Sequence, residues 1–158
     1  RAREIAHRYL GSSGLDVHPR SVLRYQVAAL AAEVAFLTDD RLLAERLLVE
    51  LAPISHRVCV AGLAAASSGH LVRHHGLALA VAGDLDAAEA LLDVAVASAT
   101  AAGFLPAKAH ALAERAVVLR RRGGDGDVAE ADRCAAEAAA LASDLGIVLA
   151  LPSIDGAA

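Results

Sequence analysis

Methionine and tryptophan are missing from this chain, and aromatic rings nearly so: two Phe and two Tyr serve 158 residues. A core without large rings has to be closed by small side chains and closely approaching backbones. Lysine is almost absent too. Lys108 stands alone, and Arg supplies the other fourteen basic residues. The formal net charge of −4 argues against direct nucleic-acid binding, which needs clustered positive surface. Cysteine is limited to Cys59 and Cys134, far apart in sequence, so two reduced thiols are expected rather than a disulfide framework. There is no uninterrupted apolar run of about eighteen residues, so no membrane span is expected. The first residues lack the pattern of a signal peptide, and the expected location is cytoplasmic. The chain opens on Arg1 and holds no Met. A processed or excised piece of a longer protein is therefore expected, with residues 1–10 as the tail of a helix.

What is present is alanine, about a quarter of all residues, where a mixture of larger apolar residues is usual. Ala has the highest helix propensity and little side chain to separate helices. No period-2 run stands between hairpin signals, so the reading is all-α. The chain is organised around Gly76 to Leu92. Gly76 is a small residue inside a helix, where a neighbour can come close. Gly83 can take the left-handed conformation of a C-cap. Asp84 and Asp86 are candidate N-caps, and Asp86 with Glu89 has capping-box spacing. Ala88 falls where the two helices would cross.

Around this centre, residues 1–10 read as helix, with Ile5, Tyr9 and Leu10 on one side. The Gly-Ser-Ser-Gly run at 11–14 reads as a loop, and Pro19 can sit in the first turn of the next helix. Leu23, Val27, Leu30, Val34 and Leu37 follow at helical spacing. After the turn at Thr38, Asp39 and Asp40, a helix carries Leu43, Leu47, Leu48 and Leu51, and Pro53 closes it. Residues 54–68 are the least regular, and a loop or short helical turn is expected there. Pro106 opens another helix, reaching Arg122. Asp127 and Glu130 repeat the capping-box spacing, and Gly146 ends the last helix. Ala44, Ala88 and Ala131 each fall early in the second helix of a pair, at separations somewhat longer than the roughly 34 residues of a minimal tetratricopeptide repeat.

The expected fold is an all-α, tetratricopeptide-like superhelix of antiparallel helix pairs, about three pairs plus a partial N-terminal helix. Residues 1–151 form one helical-repeat domain, with pairs at roughly 20–52, 70–102 and 106–145, and 152–158 form a frayed tail. Ala44, Gly76, Gly83, Ala88, Gly123 and Ala131 define the repeats.

Three stretches carry a family resemblance: Arg41-Leu-Leu-Ala-Glu-Arg-Leu-Leu-Val-Glu-Leu-Ala-Pro, Gly69-His-Leu-Val-Arg-His-His-Gly-Leu-Ala-Leu-Ala-Val-Ala-Gly-Asp-Leu-Asp-Ala-Ala, and Arg122-Gly-Gly-Asp-Gly-Asp-Val-Ala-Glu-Ala with the closing Ala142-Ser-Asp-Leu-Gly-Ile. The run from Arg41 to Ile147 resembles the C-terminal helical-repeat region of large bacterial regulators. These include ATPase-containing transcriptional regulators with a LuxR-type DNA-binding end, similar to the maltose regulator, and nucleotide cyclases fused to an ATPase. The resemblance implies a sensor or docking arm controlling adjacent ATPase and output domains. One departure is Ala107 after Pro106, where an aromatic residue would be usual.

No catalytic equipment is visible. A phosphate-binding loop needs Gly-x4-Gly-Lys-Ser/Thr, and Lys108 lies between two alanines. Gly123, Gly124 and Gly126 fall between helices rather than after a strand. His70 and His74, at i and i+4, could share a helix face and ligate one ion with His75 nearby, with His110 or Asp84 as conceivable third ligands. The simpler reading is a polar helix face, and no metal or cofactor is expected. The carboxylate pairs Asp39–Asp40, Asp84/Asp86 and Asp125/Asp127 fall at expected helix starts, where capping explains them. Ser67 and Ser68 precede His70 without a nucleophile elbow. Arg120, Arg121 and Arg122 close a helix, where cations suit the dipole, or offer a patch, extended by Arg115, to an acidic partner.

The expected function is non-catalytic: a protein-interaction and regulatory region of a larger bacterial signalling or transcription-regulating protein. Its partner is another protein or the adjacent domains of the parent chain, with no membrane and no direct nucleic-acid contact, and homo-oligomerisation left open. Helix phase places Arg73, His74, Leu77, Lys108, Ala111 and Arg115 on a concave binding face. The alternative is a sensor domain binding a metabolite or sugar in the repeat groove.

Overall fold

A computed structural model describes residues 1–10, 23–61 and 66–152. Among them are seven α-helices: α1 (Ala2–Leu10), α2 (Leu23–Thr38), α3 (Arg41–Leu51), α4 (Leu71–Ala82), α5 (Leu85–Ala101), α6 (Leu105–Arg122) and α7 (Asp127–Leu145). The all-α expectation holds in outline. Two expected features, the loop at 11–14 and Pro19 in a first helical turn, lie outside the described residues, as does the tail beyond Pro152.

Short turns join α2 to α3, α4 to α5, α5 to α6 and α6 to α7. Asp40 caps α3 by accepting from the Leu43 amide at 3.2 Å, and Asp84 caps α5 from the Ala87 amide at 3.2 Å. Gly83, Gly123 and Gly146 end α4, α6 and α7 in the left-handed region, at φ +100°, +65° and +64°. Neither expected capping box forms. Asp86 lies inside α5, and α7 is capped by Gly126, with Asp127 accepting the Gly124 amide instead.

Helix crossings explain the composition. A Cβ on Gly76 would sit 3.1 Å from Leu92 Cγ and 3.2 Å from the Ala88 carbonyl oxygen, so α4 and α5 touch backbone to side chain. Ala44, Ala88 and Ala131 are each fully buried, early in α3, α5 and α7. α4 packs on α2, α3 and α5, while α7 packs chiefly on α6. Phe36, Leu43, Leu47, Leu51, Leu77 and Leu92 fill the main core, each contributing about 1.5–3 kcal/mol by burial.

In the described part of 54–68, residues 54–61 and 66–68, the expected loop or helical turn gives way largely to a strand pair. A 3-10 turn, Ala52–Ile54, leads to β1 (Val58–Ala61), which pairs antiparallel with β2 (Ala66–His70). A register shift between Cys59 and Val60 lies opposite Gly69, at φ +80°. Such a bulge breaks the period-2 pattern that would announce a strand, and β1 is apolar at every position. His70 was expected to begin a helix. It ends β2 and stands at the N-cap of α4 with extended φ and ψ.

Candidate functional site

α2, α4 and α6 meet around one buried cation. Arg73, on α4, is 5% exposed. Its Nε donates to Glu114 Oε2 at 2.7 Å and its Nη2 to Oε1 at 2.5 Å, a bidentate pair with α6. Its Nη1 donates to Glu33 Oε1 on α2 at 3.0 Å. Both Arg73 and Glu114 are desolvated, and the two-bond geometry is what makes that tolerable. Burial works against the charge of Arg73, but Glu114 and Glu33 overcome it and hold its pKa above the ordinary value.

His74 is wholly buried beside this pair. Its Nε2 lies 3.2 Å from Arg73 Nη1 and 3.4 Å from Glu33 Oε1, and its Nδ1 has no partner among the described residues. Burial pushes its pKa down, the Arg73 charge adds to this, and the hydrogen bond with Glu33 opposes it. Burial also lowers the pKa of His75 and, with help from Arg73, of His110. Glu33 moves the other way. Burial would raise its pKa, but the hydrogen bond from His74 and the charge of Arg73 bring it to about 2.

The six residues expected on one concave face do not share an exposed surface. Arg73, His74, Leu77 and Ala111 are buried. Arg115 turns toward α5 and α7: its Nη2 donates to Glu89 at 2.7 Å and its Nη1 to Glu130 at 3.1 Å. Lys108 Nζ lies 2.6 Å from Glu137 of α7. Helix phase failed here because α4 is buried on nearly all sides, its polar Arg73 and His74 included, so no single stripe marks its inward face. The missed residues are Glu33 and Glu114; Glu33 carried a signal as the one acidic residue of α2, whereas Glu114 stands beside Arg115 on a helix rich in basic residues and carried none.

The other candidate chemistry is absorbed into structure. Arg122 pairs with Asp127 through both ends, Nε to Oδ2 at 2.8 Å and Nη2 to Oδ1 at 2.6 Å. Hydrogen bonding to Arg122 holds the Asp127 pKa at about 2. Arg120 reaches Asp132 at 2.8 Å, and Arg121 lies 3.5 Å from Asp39 and over the Phe36 ring. All three arginines at the end of α6 thus meet carboxylates of this chain. His70 and His74 do not share a helix face, since His70 lies outside α4. Among the described residues no three His, Cys, Asp or Glu side chains are grouped to hold a metal ion, and no helix is long and apolar enough to cross a membrane. Cys59 and Cys134 are both buried and are not joined in a disulfide.

Three openings stand out among the described residues, the smallest, about 40 Å³, at the Arg73 cluster beside His110 and Ala150. A cavity of about 120 Å³ lies between β2, α5 and the first turn of α6, walled mainly by Ala95, Ala99, Ala102, Ala107 and Ala111, with Arg73 and Ser98 at its edge. A larger groove of about 510 Å³ runs between α1 and α2, lined by Ile5, Ala6, Val27, Leu30, Val34 and Leu37, with Glu33 as its charged member. Leu30 is 61% exposed there, Ile5 44% and Leu37 40%. No family model, curated protein or solved structure matches the chain.

Proposed function

We propose that this chain is a non-catalytic, tetratricopeptide-like superhelical module for protein interaction and regulation, part of a larger bacterial signalling or transcription-regulating protein. The observation that carries this reading is the apolar groove between α1 and α2. Large aliphatic side chains stand open to water in a chain whose charged groups are largely paired with one another. A contiguous exposed apolar surface of this kind is characteristic of interaction sites. The surface lies between α1 and α2 and shares none of the six residues chosen by helix phase. Regulation would follow from a partner or neighbouring domain favouring one arrangement of the helical arm over another.

The test is photo-crosslinking in the expressing cell, with a crosslinking residue placed in turn at Leu30, Val94 and Val128, exposed positions on α2, α5 and α7. The expected outcome is a discrete adduct, from at least one position, to one protein or to another domain of the same parent chain. Adducts from none of the three would refute the reading. The sensor alternative draws on the alanine-walled cavity, whose volume suits a small apolar group. A rise in melting temperature with a metabolite and without protein would favour it.

A further inference from the structure

The α1–α2 groove has a shape and a charge that together specify its occupant. Val27, Leu30, Val34 and Leu37 follow one another along α2 at three- and four-residue steps, so they form one stripe about 15 Å long. Glu33 lies on the same side, three residues after Leu30 and four before Leu37. Its side chain is 34% exposed. Arg73 and His74 both approach Oε1, and no hydrogen bond among the described residues uses Oε2. The cluster within reach of the groove holds two carboxylates, Glu33 and Glu114, sharing one guanidinium, that of Arg73, so it has one more carboxylate than it has arginine. The groove thus presents an apolar channel three helical turns long with an incompletely neutralised carboxylate midway.

We propose that this groove binds an amphipathic α-helix of a partner protein, whose apolar face carries one Lys or Arg that meets Glu33. This inference rests on the interaction-module reading and names its site and the chemistry of its partner. A helix lying along α2 places apolar residues against Ile5, Leu30, Val34 and Leu37, at the i, i+3, i+4 and i+7 spacing by which helix-in-groove recognition works. One central cation balances the extra carboxylate and sets register, which is the usual contribution of electrostatic complementarity. A helix with an acidic residue at that point meets Glu33 head on.

The test uses the intact chain and labelled helical peptides of about fourteen residues, built from Leu and Ala on one face, with Lys or Glu at the centre of that face. Fluorescence anisotropy reads binding. The expected result is saturable binding of the Lys peptide, about tenfold tighter than the Glu peptide, a difference of about 1.4 kcal/mol. Glu33→Gln should shrink that preference to about twofold or less, and Leu30→Asp should weaken both peptides. Leu30 is exposed, so Leu30→Asp should leave the circular dichroism melt unchanged. If Glu33→Gln unfolds the chain, the Lys-against-Glu contrast on the unaltered protein and the Leu30→Asp loss still decide. Equal binding of the two peptides, binding untouched by Leu30→Asp, or no saturable binding of either overturns the proposal. So does saturable uptake of dodecylamine while both peptides stay silent, since that assigns the groove to a small amphiphile. Crosslinks from Val94 or Val128 alongside failure of the peptides would leave the interaction reading standing and remove only this site.

Discussion

Arg73 shows how much a single residue holds in this interior. Its three nitrogens tie α4 to Glu114 of α6 and Glu33 of α2. Replacing it by Met leaves Glu114 buried and unpaired, which costs about 3–5 kcal/mol. The double substitution Arg73→Met with Glu114→Leu should recover at least half of that loss, because it removes the stranded charge. Urea denaturation of the two variants measures both. Gly76 makes a steric counterpart. Gly76→Ala would gain about 1 kcal/mol of helix propensity, but its Cβ meets the Ala88 carbonyl and Leu92. Overpacking against a backbone costs about 1–3 kcal/mol, so a net loss near 1 kcal/mol is expected by the same measurement. The buried histidines add a pH dependence. His74, His75 and His110 have pKa values lowered from 6.5, so the unfolded chain takes up protons first. The stability they contribute is complete above pH 6.5 and falls as pH drops below it. Glu33, lowered from 4.5 to about 2, adds a further loss between those values. Melting temperature should therefore decline from pH 6.5 downward and again below 4.5, and a flat profile from pH 7 to 5 would contradict the burial of neutral imidazoles.

At the scale of elements, the two capping aspartates are not equivalent. Asp84 caps α5 at an exposed turn, and Asp84→Ala should cost about 1 kcal/mol, the ordinary value of an N-cap. Asp40 caps α3 while fully buried, and its Oδ2 also receives Arg3 Nε and lies against His7 Nε2, both at 2.6 Å. It therefore joins α1 to the start of α3. Asp40→Asn keeps a capping oxygen but weakens the charge-assisted contacts. Amide exchange across α1 should speed up in that variant while α4 and α5 stay protected, and unchanged exchange in α1 would show that its docking depends on the apolar contact with α2 instead. The cap at Asp40 and the glycine ends of α4 and α6 were legible in the sequence because each is a local requirement of φ or of an unsatisfied amide. The hairpin was not, since its strands are defined by pairing across a gap and a bulge removes their alternation.

Across the whole molecule, helices pack mainly on their neighbours in sequence. The main core joins α1 through α6, and a second cluster of Leu112, Ala113, Ala116, Leu119, Ala131, Cys134 and Ala138 joins α6 to α7. Where helices pack mainly on their sequence neighbours, an end element can open before the middle. Native-state hydrogen exchange should find α7 opening at a lower free energy than α4, which is enclosed by α2, α3 and α5. Leu119→Ala should widen that difference. Simultaneous opening of both would show one cooperative unit.

The sequence by itself determined the helices, their pairwise turns and the alanine and glycine positions at which helices meet. Those features follow from propensity, capping and side-chain volume, which act over a few residues. Tertiary structure alone decided which face of α4 and α6 is interior, and so removed Arg73, His74, Leu77 and Ala111 from the surface on which helix phase had placed them. It also decided the partners of the charges: Arg73 meets carboxylates 40 and 41 residues away. A helix whose polar residues are themselves buried, as Arg73 and His74 on α4 and Glu114 on α6 are, gives no phase from which burial can be read, and the pairing of charges between helices depends on a register that only packing sets.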